Sequence, residues 1–210
     1  MVDRAAERGE QVQFRPATEA DSEVVARLWA ATFDDKFAWV LGPEAVTFVK
    51  GWLARDPGVY LGTTLACIDG EPAGYVFVDG YGRTVRGRVW PLISQLIGHY
   101  GFGSGMKRAL QFGGMEMGQR HSRKNLHINM IGVLAQQRGK GLGWCLLEHA
   151  ESIARERGNC ALTLGVVESN TGAIALYERF GFTLGKHVVN PIAYWCSGHR
   201  GYYDMRKDLG

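Results

Sequence analysis

Apolar and polar positions switch between two periods along this chain. Residues 12–15, 59–67 and 73–78 alternate as strands do. Asp69-Gly70-Glu71-Pro72 supplies the hairpin turn between the second and third of them. Residues 16–21 form a turn and helix start, and Val24, Val25, Leu28 and Trp29 then recur at helical spacing over 22–33. A second helix is expected near 43–54, with Pro43 in its first turn. Residues 90–100 and 106–119 are helical stretches broken by Gly101-Phe102-Gly103-Ser104-Gly105. A strand over 125–133 leads into a glycine-rich turn. The helix of 142–157 follows, with Leu142, Leu146, Leu147, Ala150, Ile153 and Ala154 on its apolar face. Residues 162–167 read as a strand. Ala173, Leu176, Tyr177 and Phe180 share one helical face after Ser169 or Asn170 as N-cap, and Gly181 stops the helix. Two last strands, 183–189 and 202–209, flank an aromatic loop.

The turn between the 125–133 strand and its helix carries the most chemistry: Gln136-Gln137-Arg138-Gly139-Lys140-Gly141-Leu142-Gly143. Glycines bring backbone N–H groups close to a ligand, and a helix N-terminus adds unpaired donors and partial positive charge. Strand, glycine turn and helix start together suit a phosphate or pyrophosphate. A P-loop is excluded because Gly141 follows Lys140 where Ser or Thr should stand. A dinucleotide fingerprint is excluded because its last glycine would be Trp144.

The pattern that remains is Gln-x-x-Gly-x-Gly at Gln136, Gly139 and Gly141, and it resembles the acyl-CoA loop of the Gcn5-related N-acetyltransferase (GNAT) superfamily. A second block strengthens the resemblance. Asn170, Ala173, Leu176, Tyr177, Gly181 and Phe182 match that family's Asn-x-x-Ala-x-x-Leu-Tyr-x-x-x-Gly-Phe in order and spacing. The Arg15-Pro16-Ala17-Thr18 turn with Asp21 is also how the family opens. The resemblance implies an α/β fold of α+β type: a central mixed, mostly antiparallel twisted sheet flanked by helices. The departure is residues 80–124, expected as a helical insertion between the third and fourth strands. So long a connection serves either as a lid or helical subdomain, or as a packing layer or dimer contact.

Composition narrows the class. A chain of 210 residues is expected as one domain over 12–210, able to bury ~70% of its extended surface. The net charge of +3 is small and scattered, with Arg83, Arg86, Arg88 and Arg120, Arg123, Lys124 as solvated faces, so no nucleic-acid partner is expected. Cys67, Cys145, Cys160 and Cys196 lack Cys-x-x-Cys spacing, which suggests buried thiols in a reduced compartment. No apolar run suits a membrane span, and residues 1–11 read as a charged, disordered lead without a signal core. A cytoplasmic enzyme is the expectation, with a homodimer left open.

The resemblance also implies roles. Gln136, Gln137, Arg138, Gly139, Lys140, Gly141, Leu142 and Gly143 would cradle the pyrophosphate of acetyl-CoA. Ile131, Gly132 and Val133 would present backbone to its pantetheine arm, and Val133 N–H would face the thioester oxygen. Asn170, Ala173 and Tyr177 complete the cofactor side, with the Tyr177 phenol as general acid toward the leaving sulfur. His127 is the candidate base, or holds a water. In a regular strand it shares one face with Asn129, Ile131 and Val133. Glu116 and His121 are rivals. Asp34, Asp35, Glu116, Asn129 and Trp195 are candidates for the acceptor pocket, with His199 beside Trp195. The acceptor is expected to be a small amine, an amino-acid-like compound or a peptide N-terminus. Two alternatives stay open. One is a non-catalytic acyl-CoA sensor. The other transfers longer acyl groups through a tunnel lined by Leu92, Ile93, Leu96 and Ile97. No metal is implied.

Overall fold

The computed structural model describes residues 12–32, 39–55, 62–79, 89–116, 122, 124–189, 194–195 and 198–210. The expected lead at 1–11, Asp34, Asp35, His121 and Cys196 lie outside the described residues.

Seven strands form one sheet: β1 (Gln13–Pro16), β2 (Thr63–Ile68), β3 (Glu71–Asp79), β4 (Asn125–Val133), β5 (Ala161–Val167), β6 (Thr183–Val189) and β7 (Gly201–Asp208). Their order is β1-β2-β3-β4-β5-β7-β6. Every neighbouring pair is antiparallel except β4 and β5. Among the described residues there are six helices: α1 (Ser22–Thr32), α2 (Ala45–Arg55), α3 (Val89–Tyr100), α4 (Phe102–Glu116), α5 (Leu142–Glu156) and α6 (Thr171–Phe180). This is the mixed, mostly antiparallel sheet flanked by helices that the sequence leads one to expect. No helix among the described residues is long and apolar enough to cross a membrane.

Strand alternation divides the interior into two cores, one on each face. Val76, Ile128, Leu162, Leu164 and Met205 meet Leu142, Leu146, Leu147 and Ala150 of α5 and Tyr177 and Phe180 of α6. Their neighbours in sequence turn the other way. Leu65, Tyr75 and Met130 pack with Val25, Leu28 and Trp29 of α1, Phe48, Val49 and Leu53 of α2, and Leu96 of α3. A fully buried residue such as Leu146 or Leu53 contributes roughly 1.5–3 kcal/mol.

The β2–β3 turn is shorter than expected. Asp69 (φ 51°) and Gly70 (φ 81°) make a two-residue loop, and Glu71 already pairs with Ile68. The insertion also differs from the sequence expectation. The only interruption is Gly101 (φ 78°), and Gly103, Ser104 and Gly105 lie inside α4. Gly105 is there because a Cβ would come within 2.5 Å of Ile97 Cα; it lets α4 press against α3. The hairpin of helices packs on the α2 side. The Tyr100 hydroxyl donates to Leu41 O (3.0 Å), His99 pairs with Glu44 (2.8 Å), and Leu96 is fully buried. The thiols are not uniformly buried either: Cys67 is, Cys145 is half-buried and Cys160 is exposed.

The opening turn acquires a physical reason. Arg15 grips Asp21 with both guanidinium nitrogens (2.8 and 2.7 Å), and the Thr18 N–H and hydroxyl donate to the same carboxylate (2.8 and 2.9 Å). This ties β1 to the start of α1. The Arg15 guanidinium, helped by Thr18, holds the Asp21 carboxyl well below the usual range against the opposing effect of burial. Because the folded state keeps Asp21 ionised below its unfolded pKa of ~3.9, the stabilisation is full above that pH and lost as pH falls below it. Arg15 is half exposed, so the effect is screened to about 1 kcal/mol. Between pH 5 and pH 3 the wild-type unfolding midpoint should fall more than that of Asp21→Asn. Parallel decline of the two in scanning calorimetry would remove Asp21 from the acid response.

Candidate active site

The parallel pairing of β4 and β5 stops early. It covers Asn125↔Ala161 through Ile128↔Leu164. Beyond that point β4 stays with β3 through Val133, and β5 stays with β7 through Val167. The two strands therefore part toward their C-terminal ends. Asn129 is the cause on the β4 side. Phe77 pairs with Met130 and Val78 with Ile128, so Asn129 is an extra residue, a β-bulge.

The bulge overturns one expectation. Before it, Leu126 and Ile128 face α5, so His127 points to the α1/α2 face. After it, Ile131 and Val133 face α5 and Met130 joins the α1/α2 core. His127 thus lies on the opposite face from Ile131 and Val133. An inserted residue shifts a period-two pattern by one, which no reading of regular alternation anticipates.

The backbone of the parted edge has a definite direction. Leu134 N–H donates to Ala73 O on the β3 side (3.0 Å). Alternation then turns the amides of Ile131 and Val133 away from β3, toward the gap, and that of Gly132 toward β3. Arg138 Nε donates to Val133 O (3.1 Å) on the gap side. Gly132 is glycine for another reason: a Cβ would stand 2.5 Å from Thr32 Oγ1, so α1 lies directly on the strand there.

At the end of β4 the chain makes one 3-10 turn (Ala135–Gln137), then enters the left-handed region at Gly139 (φ 75°) and Gly141 (φ 89°). A Cβ on either would meet nothing within 4 Å, so this wall is open. No side chain caps α5, which leaves first-turn amides available to a ligand. Lys140 Nζ donates to Gln137 Oε1 (2.9 Å), and Gln136 is exposed. Leu142 is buried and begins α5; Gly143 lets Leu176 of α6 approach.

From α6, Asn170 accepts the Ala173 amide (3.1 Å) as N-cap, and Gly181 (φ 101°) ends the helix. Between them Tyr177 is buried. Its phenol forms no hydrogen bond within the described residues, and burial pushes its pKa above the ordinary value. Tyr75 is fully buried as well, with its hydroxyl 3.1 Å from Thr32 Oγ1. Burial raises its pKa, the Thr32 hydrogen bond opposes the rise, and Tyr177 adds to it. His127 Nδ1 lies 3.0 Å from Thr163 Oγ1, in the last paired stretch before the gap. Asn129 Oδ1 is buried and has no hydrogen-bond partner among the described residues.

The acceptor-side candidates are less evenly gathered. Trp195 is half exposed, and its carbonyl accepts both Trp39 Nε1 (3.1 Å) and Gln111 Nε2 (3.1 Å). The segment after α1, the insertion and the β6–β7 loop thereby meet at one atom. His199 Nδ1 lies 3.4 Å from Ser169 Oγ, beside α6. Glu116 ends α4, and its side chain is outside the described residues, as are Asp34 and Asp35. Gln111, Thr32 and Glu168, which pairs with His187 at 2.8 Å, escaped the reading of the sequence. Each is an isolated polar residue within or at the end of an element, with no spacing to mark it.

The sheet is thus opened between its two parallel strands, beside an uncapped helix with a left-handed glycine turn. The model of the acetyltransferase (GNAT) family matches residues 23–182, and the chain belongs to that family. It is 46% identical over 59 residues to streptothricin acetyltransferase of Streptomyces lavendulae, a match covering 28% of this chain and 31% of that protein. The chain spans between about a sixth and two fifths of the length of the curated relatives it matches. Solved folds extend further. An acetyltransferase crystal structure superposes with a TM-score of 0.60 at 20% identity, over 94% of this chain and 100% of that one. The PaiA N-acetyltransferase of Thermoplasma acidophilum, in complex with coenzyme A, gives 0.59 at 13% identity, over 95% and 99%.

Proposed function

We propose that this protein moves an acetyl group from acetyl-CoA to a primary amine, by direct attack of the amine in a ternary complex. The observation that carries the reading is the gap. Its edge offers the amides of Ile131 and Val133, an uncapped glycine turn follows the same strand, and the Tyr177 phenol has no hydrogen-bond partner among the described residues. The residues present fit acetyl-CoA. The turn from Gln136 to Gly143 has free amides and open space where Gly139 and Gly141 lack side chains, which suits a pyrophosphate. Ile131 and Val133 suit an amide-bearing arm, with Gly132, Asn170 and Ala173 shaping the walls. When bound, acetyl-CoA supplies an acyl group activated as a thioester.

The chain's own groups do the rest. Val133 N–H donates to charge developing on the acyl oxygen; one such donor is worth about 2.7–4 kcal/mol. Tyr177, kept protonated by burial, gives its proton to the departing sulfur. His127, on the acceptor-side face, takes a proton from the ammonium directly or through a water, and the buried Asn129 amide oxygen is placed to hold such a water. Asp34, Asp35, Glu116 and Trp195 belong to the acceptor half. The acceptor is a small amine, an amino-acid-like compound or a peptide N-terminus.

Calorimetric titration with acetyl-CoA, CoA, NAD and ATP tests the cofactor half. Binding of acetyl-CoA and CoA alone is expected. Gly141→Glu puts a carboxylate into the phosphate seat and should raise the acetyl-CoA Kd at least tenfold, about 1.4 kcal/mol. Unchanged affinity in a variant shown to be folded by circular dichroism would remove the turn from the site. Tight CoA binding without turnover on any amine would favour a sensor over an enzyme.

A further inference from the structure

Resting on the acetyl-transfer reading, we propose that Trp39, Tyr194 and Trp195 form an aromatic face that holds a second, non-reacting cationic group of the acceptor. Gln111 of the helical insertion positions that face. The acceptor is thus a molecule with at least two amines or an amine and another cation.

Three large aromatic side chains, Trp39 and Tyr194 in ring contact and Trp195 next in sequence, are each about half in solvent: Trp39 51%, Tyr194 52% and Trp195 44% exposed. A clustered apolar patch of this kind on a soluble surface marks a binding site more often than an accident. The rings are held rather than loose. Trp39 Nε1 donates to Trp195 O, the Trp39 and Tyr194 rings lie 6.3 Å apart at 54°, and a Cβ on Gly198 (φ 75°) would lie 3.4 Å from the indole. Gln111, only 5% exposed, sends its Nε2 to the same Trp195 carbonyl. A buried amide spent on a loop carbonyl fixes that loop against α4, and so makes the insertion part of the wall.

Topology puts this face at the mouth of the gap. β7 starts where β5 ends, since Val167 pairs with Tyr202 and Glu168 N–H donates to Gly201 O. The loop carrying Tyr194 and Trp195 therefore leaves the sheet at its parted end. Trp39 follows α1, whose last residue, Thr32, touches Gly132 on the parted edge. An amine acceptor arrives from water as an ammonium. Faces of indole and phenol rings attract cations through their quadrupole, and tilted, half-exposed rings leave such faces open. The reacting nitrogen must lose its charge, so the charge these rings hold is that of another group.

The test compares α,ω-diamines of four to eight carbons with the n-alkylamines of equal length, and with benzylamine, at saturating acetyl-CoA. A matched monoamine keeps the apolar chain and removes only the second charge. Diamine KM is expected at least tenfold below that of the matched monoamine for at least one length. Gln111→Leu should raise that diamine KM at least fivefold, with the monoamine KM, the acetyl-CoA KM and kcat within twofold. A general folding defect does not produce this split. If Gln111→Leu does not fold, Gln111→Met, which keeps the length of the side chain and loses the donor, should give the same split. Equal KM for diamines and monoamines, preference for benzylamine, or acceptor and acetyl-CoA KM rising together would overturn the proposal. Calorimetry with the same amines in the presence of CoA separates the two readings. Diamine binding that is selective but never leads to acetylation keeps the aromatic face and sinks acetyl transfer. Acetylation without diamine selectivity does the reverse, and neither binding nor turnover of any diamine overturns the face.

Discussion

Tyr177→Phe is expected to lower kcat by roughly 10²–10⁴-fold, the usual contribution of a general acid, without lowering the unfolding midpoint. The two halves of this result have one cause. The Tyr177 phenol is buried, and no described group hydrogen-bonds to it. Removing a hydroxyl that bonds to no described group breaks no hydrogen bond of the fold, so stability should stay about equal. The ring stays against Phe182, 5.9 Å away, and packing is kept. A purely structural tyrosine would show the opposite pattern, with activity kept. Because burial raises the phenol pKa, Tyr177 stays protonated well past neutrality. Loss of its proton therefore does not set an alkaline limb of the pH–rate profile below pH ~10. Thiol release measured with acetyl-CoA and a turned-over amine checks both points. A variant within twofold of wild type would take Tyr177 out of proton transfer.

A large stability loss from a single added methyl is expected at Gly132→Ala. In an ordinary strand, alanine for glycine is neutral or helpful, because glycine loses more backbone entropy on folding. Here the new Cβ would lie 2.5 Å from Thr32 Oγ1 and 2.7 Å from Thr32 Cβ. Thr32 cannot turn away cheaply, since its hydroxyl donates to Leu28 O (2.7 Å) and meets the buried Tyr75 hydroxyl. α1 must shift off β4, at a cost of about 1–3 kcal/mol. For a chain of this size each kcal/mol moves the midpoint by roughly 2–4 °C. The shift also disturbs the strand edge that carries the Ile131 and Val133 amides, so acetyl-CoA affinity should fall with stability. Gly143→Ala is the contrast. Its Cβ meets only the flexible tip of Leu176 at 3.1 Å, and thermal unfolding should place it within about 1 kcal/mol of wild type. Equal midpoints for the two variants would mean that α1 does not rest on Gly132 as described.

Elements with a strong local period were legible without coordinates. The helix of α5 could be read because six apolar residues recur on one face. α6 could be read because Asn170 and Gly181 are the residue types that caps require at its two ends. The glycine turn was legible because Gly139 and Gly141 take conformations that other residues avoid. The family followed from the joint spacing of these blocks. The insertion was half legible. Its two helices were seen, but Gly105 looked like part of a break when it is a contact, since local preference cannot know that Ile97 lies opposite.

The site divides along the same line. By itself the sequence determined the glycine turn, the Tyr177 helix and the kind of sheet that carries them, because each depends on residues within a few positions of one another. Only the tertiary structure decided which face His127 takes, because one extra residue at Asn129, defined by pairing with a distant strand, reverses the alternation. Only the tertiary structure decided that Gly132 serves α1, and that Trp39, Gln111 and Trp195 converge on one carbonyl. Those contacts join residues up to 156 positions apart. Short-range periodicity carries no information at that range; it is set by how the elements pack.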